Sequence, residues 1–263
     1  MCKECGCGLG GDDVKISGHS HDHGHAHGHD HAHGHDHHHH EPDHGHGGKT
    51  LSLNLSLLEK NDRLAEQNRG FFRAKKLLVL NVVSSPGSGK TTFIRETAVK
   101  LAGRLRLGVI VGDLATDNDA ARLRTAGIPV VQITTGTVCH LDADMVAKAA
   151  AQMDLDQLDV LVIENVGNLV CPADYDLGED LRVVLLSITE GEDKPLKYPP
   201  MFHSAHVAVV TKSDMAAAAG FNRELALQNL ERVSHHARIF ELSAKTGDGM
   251  KAWLDFLVEK RAA

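Results

Sequence analysis

Three thiols stand within six residues near the start of the chain, Cys2, Cys5 and Cys7, with Gly6 between the last two. Thiolates that close together on a pliable backbone can wrap one ion. Zn²⁺ would ask for a tetrahedron, whereas Ni²⁺ with thiolate and nitrogen donors accepts a square plane, for which a nearby α-amino group is a suitable fourth donor. From His19 to His46 the chain carries fifteen of its 20 histidines, largely alternating with Gly, Asp or Ala. Neutral imidazoles bind Ni²⁺, Zn²⁺ and Cu²⁺, so this stretch suits the storage or buffering of several ions at interchangeable sites. A third set lies far downstream, where Cys139 and His140 are adjacent and Cys171 follows Glu164 by seven residues. A lone buried cysteine is usually a small hydrophobe. An adjacent Cys-His pair with another thiol on a neighbouring loop has the donors of a metal site that leaves a position for a partner's ligand. All five cysteines fall in one of these motifs.

A second chemistry is written between residues 84 and 92, Ser-Ser-Pro-Gly-Ser-Gly-Lys-Thr-Thr. This matches the phosphate-binding pattern G-x-x-x-x-G-K-[ST] except that Ser84 replaces the first glycine. Around Pro86 and Ser88, Gly87 and Gly89 let the backbone curl so that its N–H groups face phosphate, and the helix opening near Lys90 adds its positive end. Lys90 is expected at the β- and γ-phosphates. The Thr91 hydroxyl, followed by Thr92, is expected on Mg²⁺. Two later segments choose the base. Thr211-Lys212-Ser213-Asp214 and Ser243-Ala244-Lys245 resemble the N-K-x-D and S-A-K motifs of GTPases, in which the acid accepts from guanine N1 and N2, the lysine stem covers the base and the S-A-K backbone holds O6. Thr211 in place of Asn is expected to loosen one supporting hydrogen bond. Two acids at strand ends, Asp113 and Glu164, are candidates to order Mg²⁺ directly or through water. Glu164-Asn165-Val166-Gly167 resembles the E-x-x-G γ-phosphate sensor of metal-chaperone GTPases. No residue stands out as the activator of the attacking water, so slow intrinsic GTP hydrolysis is expected.

Positioning these groups requires a scaffold, and the periodicity supplies one. Short apolar runs rich in Val and Ile occur at Leu77–Val83, Leu107–Val111, Ile128–Ile133, Val160–Ile163, Val183–Ile188, Val207–Val210 and Ile239–Leu242. Such runs suit strands buried on both faces. Helical patterns separate most of them, for example Asn118–Ala126, Leu141–Met153 and Asn222–Val233. This is the pattern of an α/β fold with a mainly parallel, seven-stranded sheet flanked by helices, which binds ligands at the carboxyl ends of its strands. The nucleotide motifs, and the loops bearing Cys139, His140 and Cys171, all follow such ends. Leu51 to Lys76 reads as a preceding helix, with Leu53, Leu57, Leu64 and Phe71 at roughly helical spacing.

The composition breaks near residue 50. Residues 1–48 hold almost no large apolar side chains and are expected to form a disordered metal-binding tail, and residues 49–263 a P-loop GTPase domain. The formal charge of −7 gives no reason to expect a nucleic-acid partner. No apolar run is long enough to span a bilayer, and the first residues lack a signal-peptide core. A cytoplasmic location with reduced thiols is therefore expected. His203, His206, His235 and His236 read as ordinary surface or strand-flanking residues.

Taken together these segments resemble the hydrogenase nickel-incorporation GTPases, metal chaperones of the SIMIBI class of P-loop proteins. The resemblance also covers Gly112-Asp113, Cys139-His140-Leu141-Asp142-Ala143, Asn168, and the Pro-bounded loop Glu190-Gly191-Glu192-Asp193-Lys194-Pro195-Leu196-Lys197-Tyr198-Pro199. It implies GTP-dependent homodimerisation, a partner nickel metallochaperone, and delivery of nickel to the [NiFe]-hydrogenase large subunit. It also implies that Cys2, Cys5 and Cys7 form a tight nickel site, and that Cys139, His140 and Cys171 form a nickel or zinc site in the GTPase domain. Two competing readings are a urease accessory GTPase, which the Cys2–Cys7 motif and separate Cys-His and Cys loops oppose, and a passive nickel store, which the intact Lys90, Thr91 and Asp214 oppose.

Overall fold

The structure, a computed structural model, describes residues 15–17 and 46–262. Cys2, Cys5, Cys7 and nearly all of the histidine stretch lie outside the described residues. The elements in chain order are β1 (Lys15–Ser17), α1 (His46–Ala74), β2 (Leu78–Val83), α2 (Lys90–Leu101), β3 (Leu107–Asp113), α3 (Asn118–Thr125), β4 (Val130–Thr134), α4 (Ala143–Ala150), β5 (Val160–Glu164), β6 (Leu181–Ser187), α5 (Lys194–Lys197), α6 (Pro199–His203), β7 (Val207–Thr211), α7 (Ala216–Ala219), α8 (Arg223–Ser234), β8 (Arg238–Glu241) and α9 (Met250–Ala262). No described helix is long and apolar enough to cross a membrane.

The strands form one sheet in the order β1-β4-β3-β5-β2-β6-β7-β8. The seven expected strands are all present and pair in parallel. The sheet differs from expectation by an eighth strand. Lys15–Ser17, inside the segment expected to be disordered, pairs antiparallel with the edge strand β4, placing Ile16 opposite Ile133. Three residues with one half-buried apolar side chain carry no periodic signal, so only the open edge of β4 reveals that they can pair.

Strand alternation sorts the core onto two faces. Leu78, Leu80 and Val82 of β2 join Phe93, Ile94 and Leu101 of α2, with α3 and α9, on one face. The opposite face carries two separate clusters. One is built on Phe72 of α1 and on α4, the other on Phe202 of α6 and Leu230 of α8. Asn81 of β2 belongs to this second face by alternation and is fully buried. It donates to Glu179 Oε1 at 3.1 Å, and Glu179 pairs with Arg182 in a buried ion pair at 2.9 Å. Arg182 holds its carboxyl below the usual range despite the burial that pushes it up.

The buried face of α1 is not the one its leucines suggest. Asn61, Ala65, Asn68 and Phe72 point inward, while Leu57 and Phe71 are exposed. The helix packs on loop backbone, whose amide groups need hydrogen-bond partners that leucine cannot offer. Asn61 Oδ1 accepts from Ala143 N and its Nδ2 donates to Asp176 O, both at 2.9 Å. Asn68 Nδ2 donates to Ala143 O at 2.8 Å and Leu177 O at 3.2 Å. Arg69 reaches Asp176 through an ion pair.

Candidate functional site

The nucleotide motifs gather at the carboxyl ends of β2, β5, β7 and β8. Between β2 and α2, Gly87 and Gly89 take φ of +74° and +96°, the left-handed conformations that bend the backbone around a phosphate. Lys90 is buried, and its Nζ donates to Ser84 Oγ at 3.0 Å, so the residue departing from the phosphate pattern receives the lysine. Desolvation lowers the Lys90 pKa, opposed by the charges of Glu164 and Asp119. Thr92 is exposed beside the buried Thr91.

Thr91 Oγ1 donates to Glu164 Oε1 at 2.7 Å, joining the expected Mg²⁺ ligand to the strand-end acid. Glu164 is almost fully enclosed, and burial raises its pKa to about 7 against the hydrogen bond from Thr91 and the charge of Lys90. Its Oε2 is a buried acceptor without a partner among the described residues. A threonine hydroxyl backed by a carboxylate with spare acceptor capacity is a donor set that fits Mg²⁺ with phosphate. Asp113 lies nearby but turns into its own loop, accepting from Leu114 N and, at 2.8 Å, from Thr116 Oγ1. It acts on Lys90 and Glu164 through its charge. Asp119, in the first turn of α3, acts on both more strongly and was not singled out by the sequence.

The base-motif residues converge on the same loop. Lys212 adopts φ +62° and donates to Gly87 O at 2.8 Å, laying its stem across the phosphate loop. Thr211 Oγ1 donates to Ser88 O at 3.1 Å. Asp214 is exposed and oriented by Ser243 Oγ, which donates to Oδ1 at 2.6 Å. Ala244 and Lys245 follow at the same strand end. The Pro-bounded loop, for which the sequence suggests no role, braces the phosphate loop from the side. Ser88 Oγ donates to Glu190 Oε1 at 2.8 Å, and Lys194 Nζ donates to Ser85 Oγ at 3.1 Å.

The thiol and imidazole donors also come together. Cys139 Sγ and Cys171 Sγ are 3.1 Å apart, and these two with a His140 ring nitrogen all lie within 4.8 Å of one another. Among the described residues this is the one Cys/His/carboxylate group of three so arranged. Asp142, just after Cys139 and His140, caps α4, its Oδ1 accepting from Met145 N at 2.8 Å. His140 is buried against the Tyr175 ring, with centroids 3.9 Å apart. Burial lowers its pKa, favouring the neutral imidazole, against the charge of Asp142, and Nδ1 has no hydrogen-bond partner among the described residues. Two thiols and a neutral imidazole suit Zn²⁺ or Ni²⁺ and leave at least one coordination position open.

One span joins the two centres. At its start Glu164 holds Thr91. Next, a Cβ on Gly167 would come within 3.1–3.2 Å of Pro86 Cα, N and Cγ, so only glycine lets this loop lie against the phosphate loop without displacement. Asn168 then donates to Cys139 O at 3.1 Å, and Cys171 ends the span in the thiol cluster.

A family profile described as CobW/HypB/UreG, nucleotide-binding domain, matches residues 78–241. The hydrogenase maturation factor HypB of Escherichia coli K12 is 49% identical over 215 residues, 82% of this chain and 74% of that protein. The chain belongs to the HypB branch of this family. The hydrogenase/urease maturation factor HypB of Helicobacter pylori is 40% identical over 217 residues, covering 81% of this chain and 89% of that one. The crystal structure of HypB from Helicobacter pylori in complex with nickel superposes with a TM-score of 0.74 at 40% identity, over 77% of this chain and 95% of that chain.

Proposed function

We propose that this member of the family is a GTP-hydrolysing nickel chaperone, whose nucleotide state sets the metal affinity of Cys139, His140 and Cys171 and which delivers nickel to the [NiFe]-hydrogenase large subunit during maturation. The observation that carries this reading is the span from Glu164 to Cys171, anchored at Thr91 and Pro86 at one end and in the thiol cluster at the other. A change at the γ-phosphate that moves Gly167 relative to Pro86 is transmitted over four residues to Cys171.

In this scheme Lys90 exchanges its hydrogen bond with Ser84 for the β- and γ-phosphates, and Thr91 and Glu164 hold Mg²⁺, with Asp113 and Asp119 adding negative charge behind them. When bound, Mg²⁺ neutralises charge on the phosphates. Asp214, set by Ser243, accepts from the guanine edge, under the Lys212 stem and beside Ser243, Ala244 and Lys245. The residues supply positioning and charge but no evident activator of water, which supports slow intrinsic turnover. Nickel is the cargo, and Zn²⁺ a chemically matched occupant of the same donors. The open coordination position supports a partner's ligand joining the cluster, in keeping with a homodimer or a partner nickel metallochaperone acting in the cytoplasm. Cys2, Cys5 and Cys7 form a separate nickel site in this proposal, with the histidine stretch as a store.

The test uses the full chain. Cysteine alkylation read peptide by peptide reports metal at Cys139 and Cys171 apart from the amino-terminal thiols. The free Ni²⁺ giving half-protection should differ about tenfold between GDP and a non-hydrolysable GTP analogue, a coupling of about 1.4 kcal/mol. Equal midpoints would refute the gating. Phosphate release unaffected by Lys90→Ala would favour a passive store. The Helicobacter pylori relative named for both hydrogenase and urease keeps a second reading, service to urease as well, in view. Deleting the gene and assaying both enzymes decides between them.

A further inference from the structure

The histidines of the described domain fall into two groups. Apart from His46 at the start of α1 there are five, and His140 belongs to the thiol cluster. The other four come from separate places in the sequence and meet at the amino-terminal end of the sheet, away from the nucleotide site. His203 ends α6, His206 precedes β7, and His235 and His236 precede β8. All four are exposed. The His203 and His236 ring centroids lie 5.4 Å apart in a near-perpendicular arrangement, and those of His235 and His236 lie 5.3 Å apart.

That spacing has a chemical meaning. Two imidazoles on one ion, with metal–nitrogen bonds of about 2.0–2.1 Å, place their ring centroids about 5 Å apart. The tautomers select the pair. His203 Nδ1 lies 3.3 Å from Val233 O, a carbonyl that can only accept, so the tautomer that makes this hydrogen bond carries its hydrogen on Nδ1 and its lone pair on Nε2. A ring nitrogen donating to a backbone carbonyl while the other faces the ion is the usual second contact of a metal-bound histidine. His206 is the opposite case. Its Nδ1 accepts from Arg182 N at 2.9 Å, so the neutral ring carries its hydrogen on Nε2 and has no lone pair to give. His235 borders a groove with Glu231 and Glu241, beside the pair. Among the described residues these rings form no three-donor cluster like that of Cys139, so an ion held here would have two imidazoles and solvent as its ligands.

We propose that His203 and His236 form a second divalent-metal site, for Ni²⁺ or Zn²⁺, at the amino-terminal end of the sheet, with His235 as an adjacent donor. The proposal stands apart from the nucleotide-gated reading. Its test is modification of the full chain by diethyl pyrocarbonate at buffered free Ni²⁺, read by mass spectrometry of individual peptides so that the amino-terminal histidines do not contribute. At free Ni²⁺ of about ten times the dissociation constant, His203 and His236 should each react about tenfold more slowly, with a shared midpoint and with His206 unchanged. In His236→Gln the protection of His203 should disappear, and in His203→Gln that of His236. Protection of Cys139 and Cys171 in the same samples verifies that each variant is folded and metal-loaded. Unchanged rates at His203 and His236 when those cysteines are protected would overturn the proposal. Protection of His203 that survives His236→Gln would overturn it equally, because the histidines would then be binding singly.

Discussion

Glu164→Gln isolates the electrostatic strain stored beneath the phosphate loop. Burial raises the Glu164 pKa from 4.5 to about 7. Between those values the folded chain holds a proton that the unfolded chain has released, so stability falls as pH rises from 4.5 through 7 and is flat above. From about pH 5.5 to about pH 8 the change spans 7 − 5.5 = 1.5 pH units, which at 1.36 kcal/mol per unit is about 2 kcal/mol. Glutamine keeps the shape and an acceptor for Thr91 but cannot titrate. Urea unfolding of the nucleotide-free chain should therefore show wild type losing about 2 kcal/mol relative to Glu164→Gln over that range, a midpoint difference of about 1 M. Saturating Mg²⁺ and GTP analogue should reverse the order at high pH, because the carboxylate then has a cation to face. Parallel pH curves for the two proteins would refute the reasoning, showing that solvent or local rearrangement relieves the buried charge.

Asn68→Ala removes the donor that bridges Ala143 O and Leu177 O, so it should cost about 1–3 kcal/mol in urea unfolding and weaken Ni²⁺ protection of both Cys139 and Cys171. Full protection in that variant would show that α1 does not position the ligand loops. Gly167→Ala must push the sensing loop off Pro86, and should lower affinity for the GTP analogue more than for GDP while leaving thermal unfolding of the nucleotide-free chain nearly unchanged. Equal losses for both nucleotides, measured by calorimetry, would place the defect in general phosphate binding. Arg182→Ala leaves Glu179 buried without its ion-pair partner and should destabilise by about 3–5 kcal/mol, whereas a loss under about 1 kcal/mol would mean that water reaches the pair.

Particular residues show how legible the protein was. The seven parallel strands could be read because both faces of each are buried, which leaves continuous Val and Ile runs. The phosphate loop could be read because only glycine at 87 and 89 takes the conformations it needs. The inward face of α1 misled, since Asn61 and Asn68 look like surface residues until the loop amides they satisfy are in place. The bracing of Ser85 and Ser88 by Lys194 and Glu190 had no signal beyond a recognisable segment, because the partners lie 109 and 102 residues apart.

Local chemistry and periodicity, both short-range properties, made seven of the eight strands and the candidate nucleotide and metal residues legible from the sequence alone. Tertiary structure decided which groups lie together: Thr91 with Glu164, Cys139 with Cys171, Asp119 near Lys90, and His203 with His236. These pairings depend on where strands and loops end in space. A chain can bring residues together across any separation once its sheet has formed, and the spacing along it carries no record of that distance.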